Sequence, residues 1–525
     1  MKTASILFKE FPEILEQLQA FDPVISSITA DSRKVTNSSV FVAVTGDTSD
    51  GHIYINKAIA NGAVLVVGEN DLQYSKVPYI KVENSRLMLA HLAAAFYDHP
   101  ARKLVMIGVT GTDGKTTTSN LIHSILKTAG MRAGLISTVN AVIGDDVLDT
   151  GFHVTTPDSP EVQYYLSKMV EAGLTHAVLE TTSHGWAQYR VDACEFDIGV
   201  VTNITHEHLD YHKTYENYLA AKARLFTSLA ATTEKKIGNI RLAVLNRDDQ
   251  SYNPLVDIVD GKKLSYGFSK GCDLRASAFE PTENGIQFIV EYQEKKTDLL
   301  VPMYGEYNVS NCLAALGATV VGLGISMETA VIGLRNFGGI PGRMERIDLG
   351  QNFLSFVDFA HTPNALKQTL ETGRSILNRM NSIYKREGRL IVLFGSAGLR
   401  DKEKRRMMAE TSALFADITI LTAEDPRTES LSNILEEMKA GAVSKGAKLG
   451  ENLFLIPDRP ESHRTALFMA KKGDIILACG KGHEQSMCFG ETEYPWDDRI
   501  AMMAALSEFL HVPGPRMPIL PTSKQ

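Results

Sequence analysis

Apolar and polar positions change rhythm along this chain, and each change marks a different packing problem. Up to about residue 100, the short β-like runs VFVAV and AVLVVG are separated by the helical INKAIANG and followed by the helix-periodic RLMLAHLAAAFY. This predicts a small α/β unit ending near DHPARK, where Pro100 and its charged neighbours suggest a linker. From about Lys103, strand candidates alternate with helices: KLVMIGV, a helix from about Thr117 to Ala129, HAVLE, FDIGVVTN, and a helix around YENYLAAKARLF. Such alternation predicts a mostly parallel sheet with helices on both faces. Between about 241 and 303 the text turns β-rich, with LSYGF, LRASAFE and GIQFIVEY, and an antiparallel extension of the same domain is expected before the helical NVSNCLAALGATVVGLG. After GGIPGRMER a second alternation begins: FLSFVDF, a helix after Pro363, RLIVLFG, a helix from about Lys402, DITILTAE, a helix near 430 to 441, LFLI, another helix and DIILACG. That predicts a Rossmann-like domain with its ligand-facing residues at the carboxyl ends of the strands.

The expected fold class is therefore α/β in three domains: a small N-terminal α/β domain, 1–101; a central phosphate-loop domain, 102–341; and a C-terminal Rossmann-like domain, 342–525. The length of 525 residues agrees with this count, at a prior of about 150 residues per domain. Hydrophobic residues at 44% and charged residues at 22% are ordinary for a globular protein. The net charge of -8 leaves no footprint for nucleic acid, so an anionic ligand must be met by locally placed Lys and Arg. Five scattered cysteines without a C-x-x-C pair read as reduced thiols, not as a disulfide or zinc framework. Charges interrupt every apolar run of MKTASILFKEFPEILEQLQAF, and no stretch approaches the roughly 20 apolar residues of a membrane span. A cytoplasmic monomer without membrane or nucleic-acid partners is expected.

The candidate chemistry starts at MIGVTGTDGKTTTSN, where a strand runs into a glycine-rich turn and then a helix. The usual loop G-x-x-x-x-G-K-[ST] would place a glycine at Val109; here Gly111 lies three residues before Gly114 instead. Strand, turn and helix N-terminus still form an anion cradle of backbone N–H groups, aided by the helix dipole. Lys115 would reach the β- and γ-phosphates of a nucleotide and the Thr116 hydroxyl would bind Mg²⁺. The alternative is an ordinary strand-to-helix turn that contains Gly-Lys-Thr.

GVTGTDGKTTT resembles the shortened loop of the Mur ligases and their folylpolyglutamate synthetase relatives, with Asp113 where Asn is usual. The resemblance implies enzymes that use ATP to convert a carboxylate to an acyl phosphate, which an amine then attacks. It implies ATP contacts at Gly111, Thr112, Asp113, Gly114, Lys115, Thr116 and Thr117. Glu180, ending HAVLE, and His208, beyond FDIGVVTN, are expected at the sheet's carboxyl edge. The resemblance makes them servants of the metal ions, and Lys222 matches a lysine that is carbamylated in the family. With Lys115 these form the expected catalytic set, and with Thr116 the metal set. His206, Glu207, His208 and His212 in NITHEHLDYH keep a zinc site open as an alternative, although triphosphate and hard oxygens favour Mg²⁺.

Within the family, the stretch from SITADSRKV to IANGA is similar to the uridine-binding domain of the UDP-N-acetylmuramoyl-tripeptide synthetases, the third-residue ligases. Ser32 matches a contact to the UDP part; Thr155, Thr156, Thr182, Gln188 and Arg190 match positions that hold the sugar peptide. Asn308 matches a position beside adenine, Arg343 a nucleotide-contacting arginine, and Asp358 a strand-end acid near the ribose and phosphates. The incoming amino acid is expected at Arg400, Glu424, Asp425, Arg427, Gly480 and Glu484. Here Glu424-Asp425-Pro426-Arg427 replaces the usual D-N-P-R, and Leu399 replaces an aspartate. An added acid in that pocket favours a side-chain ammonium, so lysine, ornithine or another diamine stands beside diaminopimelate. The expected reaction is ATP- and Mg²⁺-dependent addition of the third amino acid to UDP-N-acetylmuramoyl-L-alanyl-D-glutamate, in peptidoglycan precursor synthesis. A folylpolyglutamate- or cyanophycin-type ligase and a non-catalytic precursor-binding relative are the alternatives.

Overall fold

The computed structural model describes residues 2–18, 21–46, 49–72, 77–138, 141–144, 146–148, 156–205, 207, 209–282 and 284–523. The chain divides into two compact units: Met1–Ser277 with Val290–Thr297 and Ser310–Asn336, and Ala278–Ile289 with Asp298–Val309 and Phe337–Gln525. Among the described residues no helix is long and apolar enough to cross a membrane.

Among the described residues the first unit holds a two-stranded pairing of Lys2–Thr3 with Val24–Ile25 and two larger sheets. A four-stranded sheet runs Ser27–Thr29, Ser39–Val42, Ala63–Gly68, Tyr79–Lys81, with every pairing parallel. Its own core gathers Ile28, Val40, Val42, Leu65, Val67 and Leu92, the last from the helix Ser85–Phe96. The larger sheet is parallel through Ala133–Ile136, His176–Glu180, Val105–Thr110, Ile198–Val201, Leu242–Asn246 and Lys262–Gly267, in that order. The β-rich segment joins it at a parallel pairing of Tyr266 and Gly267 with Leu274 and Arg275, and the strands Leu274–Thr282, Gly285–Tyr292 and Lys295–Val301 extend the sheet from there.

These central strands are buried on both faces, which is why they read as continuous apolar runs and not as alternation. The strand Val105–Thr110 lies mid-sheet, and the helix Lys115–Thr128 follows it, burying Leu121, Ile122, Ile125 and Leu126 along one stripe. This helix starts two residues before the expected Thr117, because Gly114 takes the left-handed conformation at its N-cap, with φ 80°. Below the sheet, the Lys235 ammonium is fully buried; it donates to Asp197 Oδ2 at 2.6 Å and to the carbonyls of Leu104 and Glu195.

The second unit carries a six-stranded sheet in the order Glu345–Arg346, Leu354–Asp358, Ile475–Cys479, Leu390–Phe394, Ile418–Leu421, Leu453–Leu455. Its first pairing is antiparallel and the rest are parallel. The helix Pro363–Tyr384 is set by Pro363 at its first position and by the Thr362 hydroxyl, which accepts from Ala365 N–H. Strand ends at Asp358, Phe394, Leu421 and Cys479 lie at one edge, as parallel order requires.

Candidate active site

The turn after Val105–Thr110 is fixed from outside by the segment after Ile198–Val201. Thr112 N–H donates to Asn203 O at 2.7 Å, and Asp113 N–H to Asn203 Oδ1 at 3.0 Å. The Asp113 carbonyl accepts from Thr202 Oγ1 and Asn203 Nδ2. Gly111 and Gly114 both have positive φ, 150° and 80°. A Cβ on Gly111 would overlap Thr202 Oγ1, and one on Gly114 would overlap Asn311 Oδ1. The Asp113 side chain is exposed, and its bonds to Thr202 and Asn203 run through its backbone.

Lys115 Nζ donates to Thr112 O at 2.8 Å, folding back over the turn. The Thr116 hydroxyl donates to Glu180, with both carboxylate oxygens at 3.0 Å. Glu180 is 1% exposed and also accepts from the N–H and hydroxyl of Thr138, at 3.0 Å each. A hydroxyl and a carboxylate at one strand end make a hard-oxygen donor pair, which fits Mg²⁺ better than a soft transition metal. Among the described residues no group of three or more His, Cys, Asp or Glu is arranged to hold a metal ion. His208, together with His206, lies outside the described residues.

Lys222 projects from the helix Tyr215–Ala231 to Gly111 O, with Nζ at 2.6 Å and 4.6 Å from the Tyr218 ring centroid. It is 1% exposed. Burial, then the neighbouring Lys115, push its ammonium well below the usual lysine range, so the amine tends toward its neutral form.

The precursor-contact candidates cluster against the other side of Glu180. Thr156 Oγ1 donates to Glu180 O at 3.3 Å, accepts from Thr182 N–H at 3.0 Å and lies 3.1 Å from Thr182 Oγ1. Thr182 caps the helix Ser183–Ala187 by accepting from Gly185 N–H. Arg190 donates to Thr156 O at 2.7 Å and to Gln188 Oε1 at 2.6 Å, and its Nε lies 3.3 Å from Asp158. Thr155 lies outside the described residues. Ser32 is buried at 7% exposure in the four-stranded domain, and its carbonyl accepts from Asn61 Nδ2.

In the second unit, Asp358 ends its strand with three donors: Met344 N–H at 2.7 Å, Ala360 N–H at 2.8 Å and Thr369 Oγ1 at 3.0 Å. Burial raises its carboxyl above the usual range, against the pull of Arg343. The Arg343 guanidinium stacks 4.6 Å from the Phe359 ring centroid, and Asn308 Nδ2 donates to Tyr304 O. Glu424 is 5% exposed, its Oε2 has no hydrogen-bond partner among the described residues, and burial pushes its carboxyl up to about 7. A Cβ on Gly480, whose φ is 111°, would overlap that oxygen, so a side chain there would strain the backbone and displace the Glu424 carboxylate.

Asp425 is not the free acid that its sequence position suggested. Lys481, 2% exposed at its side chain, donates to both Asp425 oxygens at 3.0 and 3.1 Å and lies 2.7 Å from Glu484. The added charge is therefore shared with an internal ammonium, and it does not by itself select a diamine. Arg400 is exposed; Arg427 is half-buried, and among the described residues its Nε has no hydrogen-bond partner. Behind the pocket, buried Arg459 donates to Ala423 O and Cys479 O, just before Glu424 and Gly480, and pairs with Asp498 at 2.6 Å. Thr138, Asn203, Asn311, Lys481 and Arg459 went unpredicted. Asn203 and Lys481 stand inside FDIGVVTN and CGKGHEQ, where their nearness to the expected residues was the available signal.

Profiles described as "Mur ligase family, catalytic domain", "Mur ligase middle domain" and "Mur ligase, glutamate ligase domain" match residues 24–97, 109–319 and 342–482. A UDP-N-acetylmuramyl-tripeptide synthetase of Roseiflexus sp. (strain RS-1) is 40% identical over 495 residues, 93% of this chain and 95% of that protein. The chain belongs to the Mur ligase family. A UDP-N-acetylmuramoyl-L-alanyl-D-glutamate--2,6-diaminopimelate ligase of Geobacillus kaustophilus (strain HTA426) is 37% identical over 487 residues, covering 93% and 96% of the two chains. Among solved structures, a UDP-N-acetylmuramoyl-L-alanyl-D-glutamate--2,6-diaminopimelate ligase superposes with a TM-score of 0.68 at 29% identity, over 93% of this chain and 96% of that one. In this Mur ligase the glycine turn, Glu180 and the threonine cluster behind it occupy one sheet edge.

Proposed function

We propose that the chain is an ATP-dependent amide ligase that adds a diamino acid as the third residue to UDP-N-acetylmuramoyl-L-alanyl-D-glutamate. One observation carries this reading: Glu180 joins two sites. Its carboxylate is bonded to Thr116 of the nucleotide cradle, and its backbone carbonyl to Thr156 of the cluster with Thr182 and Arg190. A phosphoryl donor held by one face and a carboxylate held by the other would meet across a single residue.

The division of labour follows: 1–101 with Ser32 for the UDP part, 102–341 for ATP and phosphoryl transfer, and 342–525 with Arg400, Glu424, Asp425, Arg427, Gly480 and Glu484 for the amino acid. The precursor's D-glutamate carboxylate attacks the γ-phosphorus of ATP, releasing ADP and leaving an acyl phosphate; the amine then displaces inorganic phosphate. Backbone N–H groups of the glycine turn and the Lys115 ammonium stabilise charge on the transferring group. Thr116 and Glu180 would hold Mg²⁺, which when bound reduces the repulsion between the two reacting anions. Burial draws Lys222 toward the amine form that adds CO₂ with loss of a proton, and the resulting carbamate would keep one N–H for Gly111 O. Purified protein with ATP, Mg²⁺ and the UDP-dipeptide should release phosphate only when a suitable amino acid is present. Phosphate release indifferent to the UDP-dipeptide would contradict the reading.

A further inference from the structure

After the helix Asp498–Leu510 the chain stays on the second unit and runs back across it. His511 turns it in the left-handed conformation, and Val512 N–H donates to Ser507 O at 3.0 Å. Gly514 passes so near the helix that a Cβ there would overlap Ser507 Oγ. Met517 packs against the core of the six-stranded sheet, and Leu520, 2% exposed, enters a smaller core with Ala423, Met487, Trp496 and Ala501. Leu520 N–H donates to Ser523 Oγ, and Ser523 N–H returns a bond to Leu520 O at 2.9 Å. This turn aims the Thr522 and Ser523 hydroxyls at Asp458 Oδ1, to which they donate at 2.7 and 2.9 Å. Asp458 is the N-cap of the helix Arg459–Met469.

The residues that share a core with Leu520 are chain neighbours of those assigned to the amino acid. Ala423 precedes Glu424, and its carbonyl, like that of Cys479 before Gly480, accepts from Arg459. Met487 belongs to the hairpin of Ser486–Phe489 with Thr492–Pro495, whose Cys488 N–H donates to Asp425 Oδ1 at 2.9 Å. Arg427 N–H donates to Cys488 O, and Arg427 O accepts from Gly490 N–H. Asp425 and Arg427 both have positive φ, 38° and 53°, a conformation that side-chain-bearing residues keep only where their surroundings impose it.

Resting on the ligase reading above, we propose that Leu520 is a positioning residue for the third amino acid: with Thr522 and Ser523 it straps Val512–Ser523 across the second unit and holds the Glu424–Arg427 loop and its hairpin in the receptive shape. Leu520 fills the core beside the loop, and the two hydroxyls fix the helix start from which Arg459 holds both strand ends. With the strap in place the amino acid meets a site already formed. Without it, binding must first order the loop, and that cost appears as lost affinity. The glycine turn and the precursor cluster lie in the first unit and share none of these bonds.

Two measurements on the full chain test this, each on Leu520→Ala and on the milder pair Thr522→Val with Ser523→Ala. Amide hydrogen exchange should quicken about ten-fold or more in Ala423–Arg427 and Ser486–Gly490 while the strand Leu390–Phe394 exchanges as in the native protein. At saturating ATP and UDP-dipeptide, KM for the amino acid should rise about ten-fold, with kcat and the KM for ATP changed by less than about two-fold, and Leu520→Met should restore both readings. Native exchange in those two segments, or quickened exchange with an unaltered amino-acid KM, would overturn the proposal. So would an equal decline of kcat and every KM in both variants, the mark of a unit loosened throughout. A native protein that forms no amide from any amino acid would instead sink the ligase reading, while the exchange data would still report whether the strap holds the loop.

Discussion

Two glycines and two lysines decide whether the phosphate turn works, and each can be tested alone. Gly111→Ala places a methyl against Thr202 Oγ1 at a φ of 150°, so the turn must shift. The expected cost is about 1–3 kcal/mol of stability with a weakened KM for ATP, read by thermal denaturation and initial rates. Lys115→Ala should lower kcat by about 10²–10³ with the fold intact, the magnitude of losing one transition-state donor. Lys222 has a depressed ammonium, so between its folded and unfolded ranges the unfolded chain binds more protons and stability rises with pH. Lys222→Met should therefore be at least as stable as the native chain at neutral pH and gain less on moving to about pH 9, while losing activity. A Met variant that melts well below native at neutral pH would contradict that sign. At this scale the sequence was partly legible: the turn at Gly111 and the helix start that carries Lys115 and Thr116 follow from local order. The fate of Asp425 did not, because the lysine that shares its charge lies 56 residues further on and meets it only in the fold.

At the scale of elements, the central sheet is legible because its strands are apolar on both faces and separated by helix-periodic stretches. Their pairing is less so. The parallel junction of Tyr266 with Leu274 depends on a crossover whose direction composition does not encode. One tie beneath the sheet has a clear energetic consequence. Asp197 accepts from Met106 N–H and from the fully buried Lys235, linking the starts of the strands Val105–Thr110 and Ile198–Val201. Asp197→Asn leaves that ammonium uncompensated, and a loss of about 3–5 kcal/mol is expected by denaturant titration. Asp197→Asn paired with Lys235→Met should recover part of it. A single-variant loss under about 1 kcal/mol would show that the pair is not needed to hold the strands that carry the turn and Asn203.

Over the whole molecule, the four-stranded and six-stranded sheets each have a core of their own, which the proposed division of substrates among stretches of one chain requires. The alternation of strands and helices revealed the α/β class, and the ordered motifs revealed the family, because phosphate chemistry needs a turn whose residues are contiguous. The proposed amino-acid pocket stayed illegible, because its charge balance is assembled from segments near 400, 425 and 481. The most direct measurement is product mass from a panel of amino acids incubated with the protein, ATP, Mg²⁺ and UDP-N-acetylmuramoyl-L-alanyl-D-glutamate. The account predicts a species heavier by one diamino acid less water, with one ADP and one phosphate formed per molecule. ATP consumed with no such species from any amino acid would contradict it.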